Sequence, residues 1–195
     1  MSDRAPDRAL LPDPARLDWP RRSPRGLVRL VGLDDVDAIW AYRSDPEVVR
    51  HLSHGVLDRA GVVERLRLRL TDGRPVAPGA DRVVRGVVLE VGGTVVGDGM
   101  LRVVTEGGGA PRLWIGYALA RSAWGQGLGT ELAQVLAGVG RELGLPVWAD
   151  AYAENPASCR VLEKTGLVRV ATATDEGRAR HVFTDDPRHL TDRST

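Results

Sequence analysis

Apolar positions fall along this chain in two rhythms. Leu113 to Leu119 is a run of apolar and β-prone residues that predicts a strand, and Leu128, Leu132, Val135, Leu136, Val139 and Leu143 then recur at helical spacing on one face. Between them lies Trp124-Gly125-Gln126-Gly127-Leu128-Gly129-Thr130, a turn that opens the helix. Upstream, Gly26–Val31 predicts a strand, and Leu33-Asp34-Asp35 starts a helix with Val36, Ile39, Trp40 and the Arg43 stem on its apolar face. Asp45-Pro46 starts a short helix to Arg50, because aspartate caps and proline tolerates the first helical position. Asp58 to Leu70 reads as a longer amphipathic helix with arginines on its solvent side. After a Gly73–Gly79 loop, Val83–Val91 and Val95–Val104 flank Gly92-Gly93 and predict a hairpin. A glycine-rich turn, Gly107–Gly109, leads into the central strand.

Downstream of the long helix, Pro146–Tyr152, Leu167–Ala173 and Arg180–Phe183 read as strands, with a helix opening at Asn155-Pro156. The strand-helix-strand crossover from Tyr117 to Tyr152 calls for one parallel pair in an otherwise antiparallel sheet, an α/β (α+β) fold. Met1 to about Pro24, rich in Pro, Arg and Asp, reads as an extended or disordered arm, residues 25–186 as one domain, and 187–195 as a flexible tail.

Composition narrows the classes. The 195 residues suffice for one well-buried core. A net charge of +1 with interspersed signs gives no block pointing to nucleic acid or a membrane surface. Cys159 is the only cysteine, which excludes an internal disulfide, and His51, His54, His181 and His189 show no metal-ligand spacing. No apolar run approaches the roughly 20 residues of a membrane span, and no signal-peptide core opens the chain, so a cytoplasmic protein is expected.

The turn carries the chemistry. Gly125, Gly127 and Gly129 stand at alternate positions where the backbone can take positive φ and no Cβ shields the N–H groups. Those donors, with the helix dipole behind them, favour an anion such as a pyrophosphate. A dinucleotide fingerprint requires glycine where Thr130 stands, and a P-loop requires a lysine that is absent.

What remains resembles the acetyl-coenzyme A turn of the GCN5-related N-acetyltransferases, the GNAT superfamily. Asn155-Pro156-Ala157-Ser158 followed by Glu163-Lys164-Thr165-Gly166-Leu167 resembles that family's second motif. Asn-x-x-Ser with a Trp-Gly-x-Gly turn, and Tyr42-Arg43-Ser44-Asp45-Pro46-Glu47-Val48-Val49-Arg50-His51-Leu52 upstream, are most similar to the branch of ribosomal-protein N-terminal acetyltransferases.

The resemblance implies a GNAT fold with splayed central strands and an acetyl-coenzyme A dependent N-acetyltransferase. Its acceptor would be a primary amine of a protein N-terminus or a small molecule, and the protein a monomer or homodimer. It further implies that main-chain groups of Ala118, Leu119 and Ala120 meet the pantetheine, with an N–H near Leu119 on the thioester carbonyl. Trp124, Gly125, Gln126, Gly127, Leu128, Gly129 and Thr130 would hold the pyrophosphate, with Asn155 and Ser158 completing the site. Many members carry a tyrosine seven residues after the asparagine, where this chain has Leu162. Ser158 is therefore the candidate proton donor to the departing thiolate, although Asn155-Pro156 also reads as a plain helix cap. Asp98 is the first candidate general base, with Tyr117 and Asp150 as alternatives. The missing tyrosine leaves a second reading open, an acyl-coenzyme A binding domain without catalysis.

Overall fold

The computed structural model describes residues 10–70, 77, 80–105 and 109–189. Among these residues eight strands form one sheet in the order β1-β2-β3-β4-β5-β6-β8-β7. They are β1 (Arg21–Arg22), β2 (Leu27–Leu30), β3 (Arg82–Val91), β4 (Thr94–Val104), β5 (Arg112–Leu119), β6 (Val147–Tyr152), β7 (Val168–Asp175) and β8 (Arg178–Thr184). All neighbours run antiparallel except β5 and β6, which the crossover helix α4 (Leu128–Glu142) makes parallel. The Gly92-Gly93 hairpin forms as its turn chemistry requires, both glycines taking positive φ.

Strand alternation sorts the core into two layers. Val87 and Leu89 face a cluster with Leu113, Ile115, Val147 and Ala149, which Leu132, Leu136 and Val139 of α4 and Leu162 of α5 (Pro156–Lys164) complete. Val88, between them, faces the other way, onto α1 (Val36–Arg43) and α3 (Arg59–Arg67) through Val36, Ile39, Tyr42, Val62 and Leu66. The four-residue α2 (Pro46–Val49) belongs to this second layer through Val48. Trp40, expected on the apolar face of α1, is 40% exposed and Tyr42 turns inward instead, while Arg43 is buried on that face as expected.

The β5–β6 pair is the departure that makes a site. Only Leu113↔Val147 and Trp114↔Trp148 are in register, although β5 runs on to Leu119 and β6 to Tyr152. Beyond Trp114 the two strands part inside the sheet.

The expected arm is corrected from Leu10 onward. Leu11 is buried, Asp13 caps a 3-10 helix at Pro14–Arg16, and its carboxylate takes two bonds from Arg85 of β3 at 2.9 and 2.7 Å. Leu11, Leu17 and Trp19 anchor this stretch to the core with no helical or strand period, which is why patterning missed it. At the other end Pro187–His189 form a 3-10 helix, with His189 edge-on to Trp148 at 5.0 Å. Residues 1–9 and 190–195, and most of the expected Gly73–Gly79 and Gly107–Gly109 turns, lie outside the described residues.

Candidate active site

A cavity of about 550 Å³ opens at the parting of β5 and β6. Tyr117, Ala118 and Leu119 line it from β5, Trp124, Gly125, Gly127, Gly129 and Thr130 from the turn, and Asn155 and Ser158 from the start of α5. Glu47, Val48, Arg50, His51 and Leu52 line it from the opposite layer, so the cavity passes through the sheet. Three residues expected to hold the cofactor do not line it. Leu128 is buried in the core, the Gln126 amide donates to Ser122 O at 2.7 Å, and the Ala120 N–H donates to Val96 O at 2.9 Å.

Main-chain geometry accounts for the turn. Gly125 and Gly127 have φ of +73° and +81°, a region costly for any residue with a Cβ. Thr130 and Glu131 N–H both donate to Gly127 O, so the donors open to an anion are those ahead of them. The Trp124 indole donates to Leu119 O at 3.0 Å, tying the turn to the end of β5. Leu113 N–H donates across to Pro146 O on the β6 side, and alternation puts the Tyr117 and Leu119 N–H groups on that same side, beyond the last pairing.

The first turn of α4 is braced from far away in the chain. Glu131 accepts from Ser23 Oγ at 2.9 Å, from the Arg25 main chain at 3.2 Å and from Arg25 Nε at 2.6 Å. Burial alone would raise the Glu131 pKa, but the bonds from Arg25 and Ser23 hold it below the usual range. Arg25 Nη2 stands 3.2 Å from where a Cβ on Gly127 would be, at the edge of the turn.

Asn155 caps α5, its side chain accepting from Ser158 N–H at 3.1 Å, and Pro156 takes the first helical position. This cap turns Ser158 into the cavity, where its Oγ lies 3.0 Å from the Tyr117 hydroxyl. Burial pushes the Tyr117 pKa up, so the phenol stays protonated and serves as a donor rather than a base. Leu162, where the resemblance would place a tyrosine, is sealed in the core at 1% exposure.

Asp98 is brought elsewhere. It is 3% exposed, with Tyr42 OH at 2.8 Å from Oδ1, Arg43 at 2.6 Å and Arg69 at 3.3 Å from Oδ2. Burial would raise its pKa, but Arg43 and then Arg69 outweigh that and hold it low. Asp98 is thus a buried tie between α1, the end of α3 and β4, and its lone pairs are taken. Pairing Leu89↔Gly97 and then Glu90↔Val95 leaves Val96 as an extra residue, so the bulge falls two positions before Asp98. Asp150 keeps 34% of its side chain exposed, 3.6 Å from Arg180, outside the residues lining the cavity. Burial raises its pKa against the pull of Arg180 and Arg102.

The sequence reading missed Arg160 and Lys164, which also line the cavity. Their signal was the spacing of Ala157, Arg160, Val161 and Lys164, one face of α5. With Arg50 they set three cations against one acid, Glu47, around the cavity, a balance suited to a polyanion. Among the described residues no helix is long and apolar enough to cross a membrane, and no cluster could hold a metal ion.

Similar solved structures share the fold. An acetyltransferase of the GNAT family from Bacillus anthracis superposes with a TM-score of 0.66 at 21% identity, covering 84% of this chain and 95% of its own. Aminoglycoside acetyltransferase AAC(6')-Ib, solved with ribostamycin and coenzyme A, gives 0.64 at 18%, covering 86% and 97%. The GNAT domain of S. lividans PAT gives 0.60 at 20%, covering 82% and 90%. No curated protein matches the chain. A family model described as the acetyltransferase (GNAT) domain matches residues 25–168, from the strand before α1 through the glycine turn to the start of β7, and the chain belongs to that acetyltransferase family.

Proposed function

We propose that the protein is an acetyl-coenzyme A dependent N-acetyltransferase that moves the acetyl group to a primary amine, of a protein N-terminus or of a small molecule, by direct attack. The observation that carries the reading is the single cavity joining the glycine turn, the unpaired Leu119 N–H and the Ser158–Tyr117 hydroxyl pair. The cavity lies within the 300–1,000 Å³ usual for cofactor sites, and the absent Cβ at Gly127 leaves room for a phosphate.

Coenzyme A, when bound, supplies an activated acetyl thioester. The turn N–H groups ahead of Thr130 hold the diphosphate, with Arg160 and Lys164 adding charge. Leu119 N–H donates to the thioester carbonyl oxygen as negative charge builds on it. Ser158 Oγ gives a proton to the sulfur and is resupplied by the Tyr117 hydroxyl, which takes the place of the tyrosine missing at Leu162. AAC(6')-Ib structures with coenzyme A and aminoglycosides support both the donor and an amine acceptor.

The sealed Leu162 favours one competitor, an acyl-coenzyme A binding domain without turnover. Calorimetric titration with acetyl-coenzyme A tests the site, and Ser158→Ala separates the two readings. A fall in turnover of about 10²-fold with affinity kept supports the transferase. Saturable binding with no coenzyme A thiol released in the presence of any amine supports the binding domain, and no binding at all removes both.

A further inference from the structure

The turn between β1 and β2, Ser23 to Gly26, carries a cation to the edge of the glycine turn. Ser23 N–H donates to Gly26 O at 2.9 Å and Gly26 N–H to Ser23 Oγ at 3.1 Å, so this short turn closes on itself. Gly26 lies against β3, where a Cβ would meet Glu90 O at 2.6 Å, and that close approach fixes the turn on the sheet. Arg25 reaches from it to the first turn of α4.

Glu131 takes only one edge of the guanidinium. Its Oε1 accepts from Arg25 Nε at 2.6 Å and its Oε2 from the Arg25 main chain at 3.2 Å, while neither Nη nitrogen has an acceptor among the described residues. The Arg25 side chain is 48% exposed and that of Glu131 10%, so the carboxylate is the inner partner and the Nη edge faces outward. The three glycines show where that edge stands. A Cβ on Gly125 would meet nothing within 4 Å and one on Gly129 would meet Leu119, Val161 and Tyr117, but one on Gly127 would meet Arg25 Nη2 alone, at 3.2 Å.

Charge at that position is unbalanced. Gly127 precedes α4, whose leading N–H groups carry positive partial charge, and a cation set beside a helix N-terminus opposes the helix dipole. Glu131 offsets this on the Nε side only. An anion on the turn would meet main-chain N–H groups beneath it and Nη groups beside it, and so satisfy both sets of donors. The planar fork of a guanidinium matches the oxygens of a phosphate.

We infer that Arg25 is a ligand of the cofactor diphosphate, its Nη groups donating to phosphate oxygens held on the glycine turn while Glu131 holds Nε. This contact rests on the cofactor site proposed above. It also gives β1 and Ser23, which precede the matched family region, a part in the site, because they aim Arg25.

Calorimetric titration with acetyl-coenzyme A over a range of salt concentrations tests the contact. Arg25→Gln should weaken binding about tenfold and flatten its salt dependence, and Arg25→Lys should recover part of the loss. Glu131→Gln breaks the same brace but keeps the cation, so its affinity should stay within about threefold of the unmodified protein. Equal losses in Arg25→Gln and Glu131→Gln, with the salt dependence unchanged, make Arg25 a prop of the turn and overturn the inference. With 3'-dephospho-coenzyme A the loss in Arg25→Gln should persist; its disappearance would place Arg25 on the ribose phosphate and overturn the diphosphate contact. Affinity unchanged in Arg25→Gln overturns the inference and leaves the cofactor site standing, whereas no binding by the unmodified protein overturns both.

Discussion

The glycine turn and the Asp98 cluster handle charge in opposite ways. At the turn, the partners on offer are main-chain N–H groups ahead of Thr130, and cations stand around an open cavity. At Asp98 the partners are side chains from α1 and the end of α3, closed over a carboxylate with 3% exposure. The first arrangement can receive a ligand because its donors are unclaimed; the second can only hold the fold together. Stability and cofactor affinity should therefore separate cleanly between the two regions.

Asp98→Ala makes the sharpest cut. It leaves Arg43 and Arg69 buried without their carboxylate, a loss expected at about 3–5 kcal/mol, visible as a large drop in thermal midpoint. Acid should act in the same direction. With its folded pKa held below the unfolded value near 3.9, the Asp98 contribution is complete above that pH and is lost as pH falls through the folded pKa. A thermal midpoint unchanged in the variant would remove the cluster from the account of stability.

Gly127→Trp probes the other region. A side chain at φ +81° beside Arg25 blocks the turn and should cut acetyl-coenzyme A affinity by about 100-fold or more in calorimetry, while strain of about 1–3 kcal/mol lowers the midpoint less than Asp98→Ala does. Asn155→Ala should cost about 1 kcal/mol through the lost cap and slow turnover by moving Ser158 relative to Tyr117. Glu131→Gln is the mildest, at about 1 kcal/mol or less because half of the Arg25 side chain is exposed. A loss of cofactor affinity in Glu131→Gln larger than its loss of stability would show that the distant brace shapes the turn directly.

The same contrast explains what could be read from the chain. The Gly92-Gly93 hairpin, the glycine turn and the Asn155-Pro156 cap are local, and each residue type states the backbone conformation it permits. Asp98 meets Arg43 across 55 residues and Arg69 across 29, and nothing near Asp98 announces either. Arginines expected on the solvent side of the third helix include Arg69, which instead turns inward just past its end. The brace of Ser23 and Arg25 on Glu131 spans more than 100 residues, and a stretch rich in Pro, Arg and Asp gave no period to reveal it. His51 was visible as a histidine without metal spacing and within the Tyr42–Leu52 resemblance; that it lines the cavity is visible only in the fold.

The parting of β5 from β6 reaches beyond ligand shape into solvent exchange. A strand in mid-sheet ordinarily protects all its amides alike, but β5 past Trp114 is sheltered on the β4 side only. In deuterium labelling the amides of Tyr117 and Leu119 should therefore exchange much faster than those of Gly116 and Ala118, an odd-even pattern within one strand. Saturation with the cofactor should erase the pattern by slowing the fast pair alone, so the strand itself would report occupancy before any acceptor is known.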